Sequence, residues 1–220
     1  MKQEIKITVP NDYSAITLEK FLEMQDDLKA YENEIEAVNA ALFYHLCGLR
    51  PEVVAAMDTQ SYQQIRNHLH SFINKTDWEL QRFITIDGVE YGFEPNLSEI
   101  SYGAYLDLGK LNTIEINKDW PKVMSILYRK VKRKVGKLYE IEGYTTKEET
   151  EHWLKVGMDV HFGALFFFIN LSRDLLNSTL NSTMKTTGAQ LKLKQTLQKS
   201  GEIILQSMNS LLETLPNTKK

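Results

Sequence analysis

The apolar positions of this chain repeat at two different periods, and the change between them organises it. Ile5, Ile7 and Val9 alternate with polar residues, which predicts a strand over Glu4 to Val9, stopped by Pro10-Asn11-Asp12. The spacing then turns helical. Thr17 is placed to cap a helix carrying Leu18, Phe21, Leu22, Met24 and Leu28 on one side. A second helix carries Ile35, Val38, Ala41, Leu42, His45 and Leu46 and closes at Gly48. Pro51 begins a short third helix, and Asp58 or Thr59 opens a fourth with Tyr62, Ile65, Leu69 and Phe72 inward.

Alternation returns at "FITIDGVEYGFEPNLSEISYGAYLDL". Phe83–Ile86 and Val89–Phe93 flank Asp87-Gly88, a dipeptide that accepts the positive φ angles of a two-residue turn, so a β-hairpin is predicted near 80–93. Gly92 and Pro95 are read as ending its second strand. Ser98 or Ser101 is placed to cap a short helix and Gly109 to end it, with Gly103 letting Tyr102 and Tyr105 approach a neighbouring backbone. Pro121 suits a first helical turn, so 120–134 reads as a helix with Met124, Leu127, Tyr128, Val131 and Val135 on one side. A short strand is expected over 137–144. Thr146 then opens a helix that Gly157 interrupts before a long apolar stretch to Leu180. In that stretch Phe166-Phe167-Phe168 cover most of a helix circumference, which predicts burial all round by the C-terminal arm or another chain.

The polar Ser/Thr tract "NSTLNSTMKTTG" reads as a linker, bounded at 181–188. Beyond it, Leu197, Ile204, Met208, Leu211 and Leu215 form a seam of fewer than three heptads across an arm at 189–220, too short to stand without a partner surface. The expected fold class is α+β, mainly α-helical, with a small β-hairpin element and a C-terminal amphipathic helix. Residues 1–180 are expected to form the globular part.

Composition narrows the function classes. Over 220 residues the apolar share is 42% and the charged share 25%, ordinary for a globular protein, and the formal net charge is -3. The single cysteine, Cys47, forms no intrachain disulfide and suits a reducing cytosol. "MKQEIKITVPNDYS" lacks the apolar run of a signal peptide, and "VHFGALFFFINL" is too short to span a bilayer, so an intracellular protein with no membrane partner is expected.

The charge is unevenly spread: 121–137 holds seven Lys/Arg and no acid, whereas the first sixty residues are acidic. The run Arg129, Lys130, Lys132, Arg133, Lys134 and Lys137 is compatible with a solvated helix face, with an acidic protein partner, or with nucleic-acid phosphate. The acidic N-terminal helices are one candidate for that partner in a homo-oligomer. Catalytic chemistry is thin. Glu148 and His152 stand four apart, but no further metal ligand occurs at recognisable spacing. His68 and His70 point to different sides of a helix. Cys47 near His45 sits on an apolar helix end, where a cysteine behaves as a small hydrophobe. No phosphate-binding loop, dinucleotide fingerprint or Gly-x-Ser-x-Gly turn is present. Neither an enzyme nor a cofactor is expected.

"ITLEKFLEM", "ALFYHLCGLRPEVVAAM", the hairpin segment and "WPKVMSILYRKVK" form an ordered series over about residues 14–135. It resembles small structural and assembly proteins of tailed bacteriophages, of the tail-assembly-chaperone type. The matching residues are Cys47-Gly48-Leu49, Asp87-Gly88, Ser101 with Gly103, Tyr105, Asp107 and Leu108, and Met124 to Arg129. The resemblance implies a non-enzymatic role in tail or head–tail assembly, with copies of itself and other phage structural proteins as partners. It also implies a location in the bacterial cytoplasm during assembly, or in the virion. The candidate interaction residues are Tyr102, Tyr105, Arg129, Lys130, Lys132, Arg133, Lys134 and the C-terminal seam. The alternative is a nucleic-acid-contacting module that uses 129–137.

Overall fold

Local end signals set most element boundaries. A computed structural model describes residues 6–31, 34–73, 78–110, 116, 118–146 and 149–181. Its secondary structure is mainly helical with one four-stranded antiparallel sheet, an α+β fold. The C-terminal seam, the 182–188 part of the linker and the arm lie outside the described residues. Asn181, at the start of the expected linker, closes a helix.

The described residues group into two compact units: 6–73 with 157–159, and 78–156 with 160–181. In the first, α1 (Leu18–Ala30) starts at Thr17, whose hydroxyl accepts from the Lys20 amide at 3.4 Å. Helix α2 (Ile35–Cys47) stops at Gly48, held at φ 66, a conformation that a β-carbon penalises. Pro51 opens α3 (Pro51–Ala55), and the Asp58 carboxylate caps α4 (Thr59–Ile73) by accepting from the Ser61 amide at 2.9 Å. Phe21, Met24, Leu28, Leu42, Phe43 and Leu69 form the core, with Tyr62 stacked on Phe43 at 5.1 Å. Lys6 to Pro10 is not a strand: alternation becomes a strand only where another strand can pair with it, and none does among the described residues. Gly157 precedes the long apolar helix but interrupts none, because only a 3-10 turn stands before it. A β-carbon there would stand 2.6 Å from the Ser14 carbonyl oxygen, beside an isolated bridge from Gly157 to Thr17.

The second unit is built on a sheet with strand order β1-β2-β3-β4. Strands β1 (Phe83–Ile86) and β2 (Val89–Phe93) pair from Phe83–Gly92 to Ile86–Val89 around Asp87 at φ 49 and Gly88 at φ 80. Gly88→Ala is expected to cost about 1–2 kcal/mol, because a β-carbon is penalised at that φ, and denaturant unfolding would read it. Gly92 does not end β2. It pairs inside the strand, and a β-carbon on it would touch Ile141 and Tyr139 at 3.0 Å, so the glycine admits side chains across the sheet face. Ser101 caps α5 (Tyr102–Lys110), accepting from the Ala104 amide at 3.3 Å, and α5 runs through Gly109 instead of stopping there.

The main departure from the periodicity comes next. Helix α6 covers only Trp120–Leu127, and β3 (Tyr128–Val135) replaces the rest of the predicted 120–134 helix. Strand β4 (Leu138–Ile141) follows where a short strand was expected. Thr146 lies in a turn and opens no α-helix; a 3-10 turn at Glu151–Lys155 leads to α7 (Met158–Asn181). Phe166, Phe167 and Phe168 are half-buried, not enclosed all round, with Phe167 edge-on to Phe93 at 5.2 Å. Trp120, Trp153, Met124 and Leu127 are fully enclosed and form the core of this unit.

Candidate interaction ribbon

The basic run sits on a strand, so its charges are divided by the pleat and not spread around a helix. Directly opposite residues share a sheet face and neighbours alternate. Tyr128, Lys130 and Tyr91 therefore share one face, and Arg129, Val131 and Gly92 the other. β2 pairs with β3 only from Tyr128 to Lys130. Beyond that, β3 and β4 continue as a two-stranded ribbon.

A register shift between Val131 and Arg133 inserts one extra residue into β3. Such a bulge re-aims every side chain after it. Here it puts Arg133 on the face of Lys130, and Lys134 on the face of Arg129. The ribbon turns over Gly136-Lys137, with Gly136 at φ 60 as the first central residue of a tight turn requires. Val135 (61% exposed) and Leu138 (79%) flank that turn, two large apolar side chains left in solvent.

Arg129 belongs to the interior. It is buried and its guanidinium pairs with the buried Glu94 carboxylate, so it is removed from the exposed basic run. Lys134 is bound to its own sheet as well, with Nζ 2.8 Å from Glu90 and 3.5 Å from the centre of the Phe83 ring. Lys130, Lys132, Arg133 and Lys137 remain exposed without an ion-pair partner among the described residues, although Glu140 stands opposite Arg133 in the ladder. With Lys134 counted, five cations face Glu90, Glu140 and Glu142, a surplus of two positive charges on the ribbon.

The face of Tyr91 and Lys130 also opens on a cavity of about 260 Å³, walled by Tyr128, Glu142, Thr145, Glu149 and His152. His152 stacks on Tyr91 at 5.3 Å, and burial lowers its pKa, which favours the neutral ring. This cavity was not legible in the sequence, because 91, 130, 142 and 152 converge only when the 3-10 turn at Glu151–Lys155 packs on the sheet.

Tyr102 (74% exposed) and Tyr105 (37%) lie on the outside of α5, as an interaction role requires. Gly103 does not bring them to a neighbouring backbone. The Tyr144 ring of the same unit lies 3.5 Å from where its β-carbon would be, and the Tyr144 hydroxyl donates to Asp107. The other chemical candidates are engaged structurally. Cys47 is half-buried and its thiol is pushed up to about 11 by burial, unlike an activated nucleophile. His45 holds Asp27 at 2.7 Å, His68 meets the Pro10 carbonyl at 3.0 Å and His70 meets Asn39 at 3.3 Å. Among the described residues no cluster of three or more His, Cys, Asp or Glu is placed to hold a metal ion, and no helix is long and apolar enough to cross a membrane.

No protein-family model, curated protein or solved structure matches the chain.

Proposed function

We propose that this chain is a non-enzymatic assembly protein of tailed bacteriophages, working through contacts with copies of itself and with other phage structural proteins. The supporting observation is the β3–β4 ribbon, where solvent-exposed Val135 and Leu138 stand beside Lys132, Arg133 and Lys137. Large apolar side chains at a charged tip are the composition of a protein-docking element. The ordered resemblance over about residues 14–135 supplies the phage context. Its last matching stretch, Met124 to Arg129, here crosses from α6 into β3, so the hairpin is the part of the series that folds as the resemblance implies. Mass spectrometry of purified virions separates a retained structural component, found at high copy, from an assembly factor that is absent. In either case Val135→Ser with Leu138→Ser is expected to abolish association while leaving the fold, since surface changes usually cost within about 0.5 kcal/mol each. A variant that assembles like wild type refutes the docking role of the ribbon.

A second reading draws on the same geometry. A two-stranded basic ribbon fits the major groove of duplex DNA. If that is its use, affinity for DNA measured by fluorescence anisotropy falls by orders of magnitude over a few-fold rise in salt. Association held by Val135 and Leu138 hardly changes over the same range.

A further inference from the structure

We infer that the partner of the ribbon is a second copy of this chain, and that it docks on the acidic outer stripe of α1. This rests on the reading of the ribbon as a docking element and names what it binds. Glu19, Glu23 and Asp26 are exposed on α1 at spacings of four and three, which places them on one helix face. The stripe spans about 10 Å, seven steps of about 1.5 Å each. On the ribbon, Lys130 and Arg133 share a face with Lys132 between them, and three steps of roughly 3.3 Å also cover about 10 Å. The three carboxylates therefore match the three cations in number, sign and length, with Lys20 and Lys29 flanking the stripe three residues from Glu23 and Asp26.

Each surface also carries exposed apolar groups that charge alone leaves unexplained. Val135 and Leu138 close the ribbon, and Tyr31 (42% exposed) lies just past the C-terminal end of α1. The two surfaces are different parts of the chain, so the contact is head-to-tail. Repeated, such a contact closes a ring or extends a filament, as an assembly protein requires. Complementary charge steers the encounter and fixes register, and the apolar groups supply the contact that survives in salt.

A charge exchange tests this with the full-length protein. One variant reverses the ribbon (Lys130→Glu, Lys132→Glu, Arg133→Glu) and a second reverses the stripe (Glu19→Lys, Glu23→Lys, Asp26→Lys). Light scattering is expected to show self-association of each weakened roughly tenfold or more relative to wild type. Mixed in equal amounts, the two regain assembly, because each reversed surface then meets its opposite. Circular dichroism and melting of each variant alone establish folding, and the neutral set Lys130→Gln, Lys132→Gln, Arg133→Gln, with an intermediate loss expected, replaces the reversed ribbon if that variant melts early. If the stripe variant associates like wild type while the ribbon variant does not, the ribbon docks elsewhere: this inference falls and the assembly role stands. If neither variant changes association, this inference falls, and the Val135→Ser, Leu138→Ser variant still decides the docking role of the ribbon. Loss in both without recovery on mixing also overturns the head-to-tail contact.

Discussion

Arg129→Met is expected to destabilise the protein by about 3–5 kcal/mol, the usual cost of removing one partner of a buried ion pair. The mechanism is desolvation. Arg129 is 7% exposed, and the Glu94 side chain that it pairs with is 9% exposed, so the truncation leaves a carboxylate with little water to replace the guanidinium. The ladder holds Glu94 in place: its amide donates to the Leu127 carbonyl at 2.7 Å, at the junction of α6 and β3. The carboxylate itself is held by the Asn96 amide, which donates to its Oε1 at 3.3 Å. The double variant Arg129→Met, Glu94→Leu removes both charges and keeps apolar volume, and it is expected to recover most or all of the loss. Urea unfolding at constant m-value measures both. A single variant within about 1 kcal/mol of wild type would show that the pair is accessible to water, and Arg129 would return to the exposed basic run.

That pair also shows where sequence reading reached its limit. Thr17, Gly48, Pro51, Ser101 and Asp87-Gly88 act within four residues of themselves, and every boundary they set was legible. The segment after Leu127 was not. Met124, Leu127, Tyr128, Val131 and Val135 satisfy a helical stripe, and lysine and arginine are good helix formers. Yet Tyr128, Val131 and Val135 are also aromatic and β-branched, and β2 and β4 offer ladders on both sides. Tertiary pairing decided between two locally permitted states. A local clue existed in Gly136-Lys137 between "YRKVKRKV" and "LYEI", a two-residue turn with glycine first. The division of the basic run into paired and unpaired cations had no such clue. Glu94 and Glu90 stand 35 and 44 residues before Arg129 and Lys134, and only the fold brings them together. The exposure of Tyr102 and Tyr105 was legible in outline from α5, but the ring that fills the space beside Gly103 comes from Tyr144.

The second large effect is on pH. His161 is fully buried between two tryptophans: Trp120 Nε1 donates to its Nδ1 at 3.1 Å, and its Nε2 donates to the Trp153 carbonyl at 3.2 Å. These bonds require the neutral ring with its proton on Nε2, and burial lowers the pKa from 6.5 to about 4. The unfolded chain binds a proton at about 6.5, which the folded chain refuses until about 4, so the contribution is complete above pH 6.5. It is lost as pH falls through that window, at about 1.4 kcal/mol per pH unit, about 3 kcal/mol in all. Carboxylates titrate below about 5, so the upper part of the window reports on histidine. His70 and His152, also lowered by burial, act with the same sign. His161→Gln separates them, because its amide can accept from Trp120 and donate to Trp153 without titrating. The stability difference between wild type and this variant, measured by denaturant unfolding from pH 7.5 to 5, is expected to shrink by about 2 kcal/mol, close to 1.4 kcal/mol per unit below 6.5. A difference that stays constant would mean that His161 accepts a proton in the folded state, which the Trp120 indole directed at Nδ1 leaves no room to do.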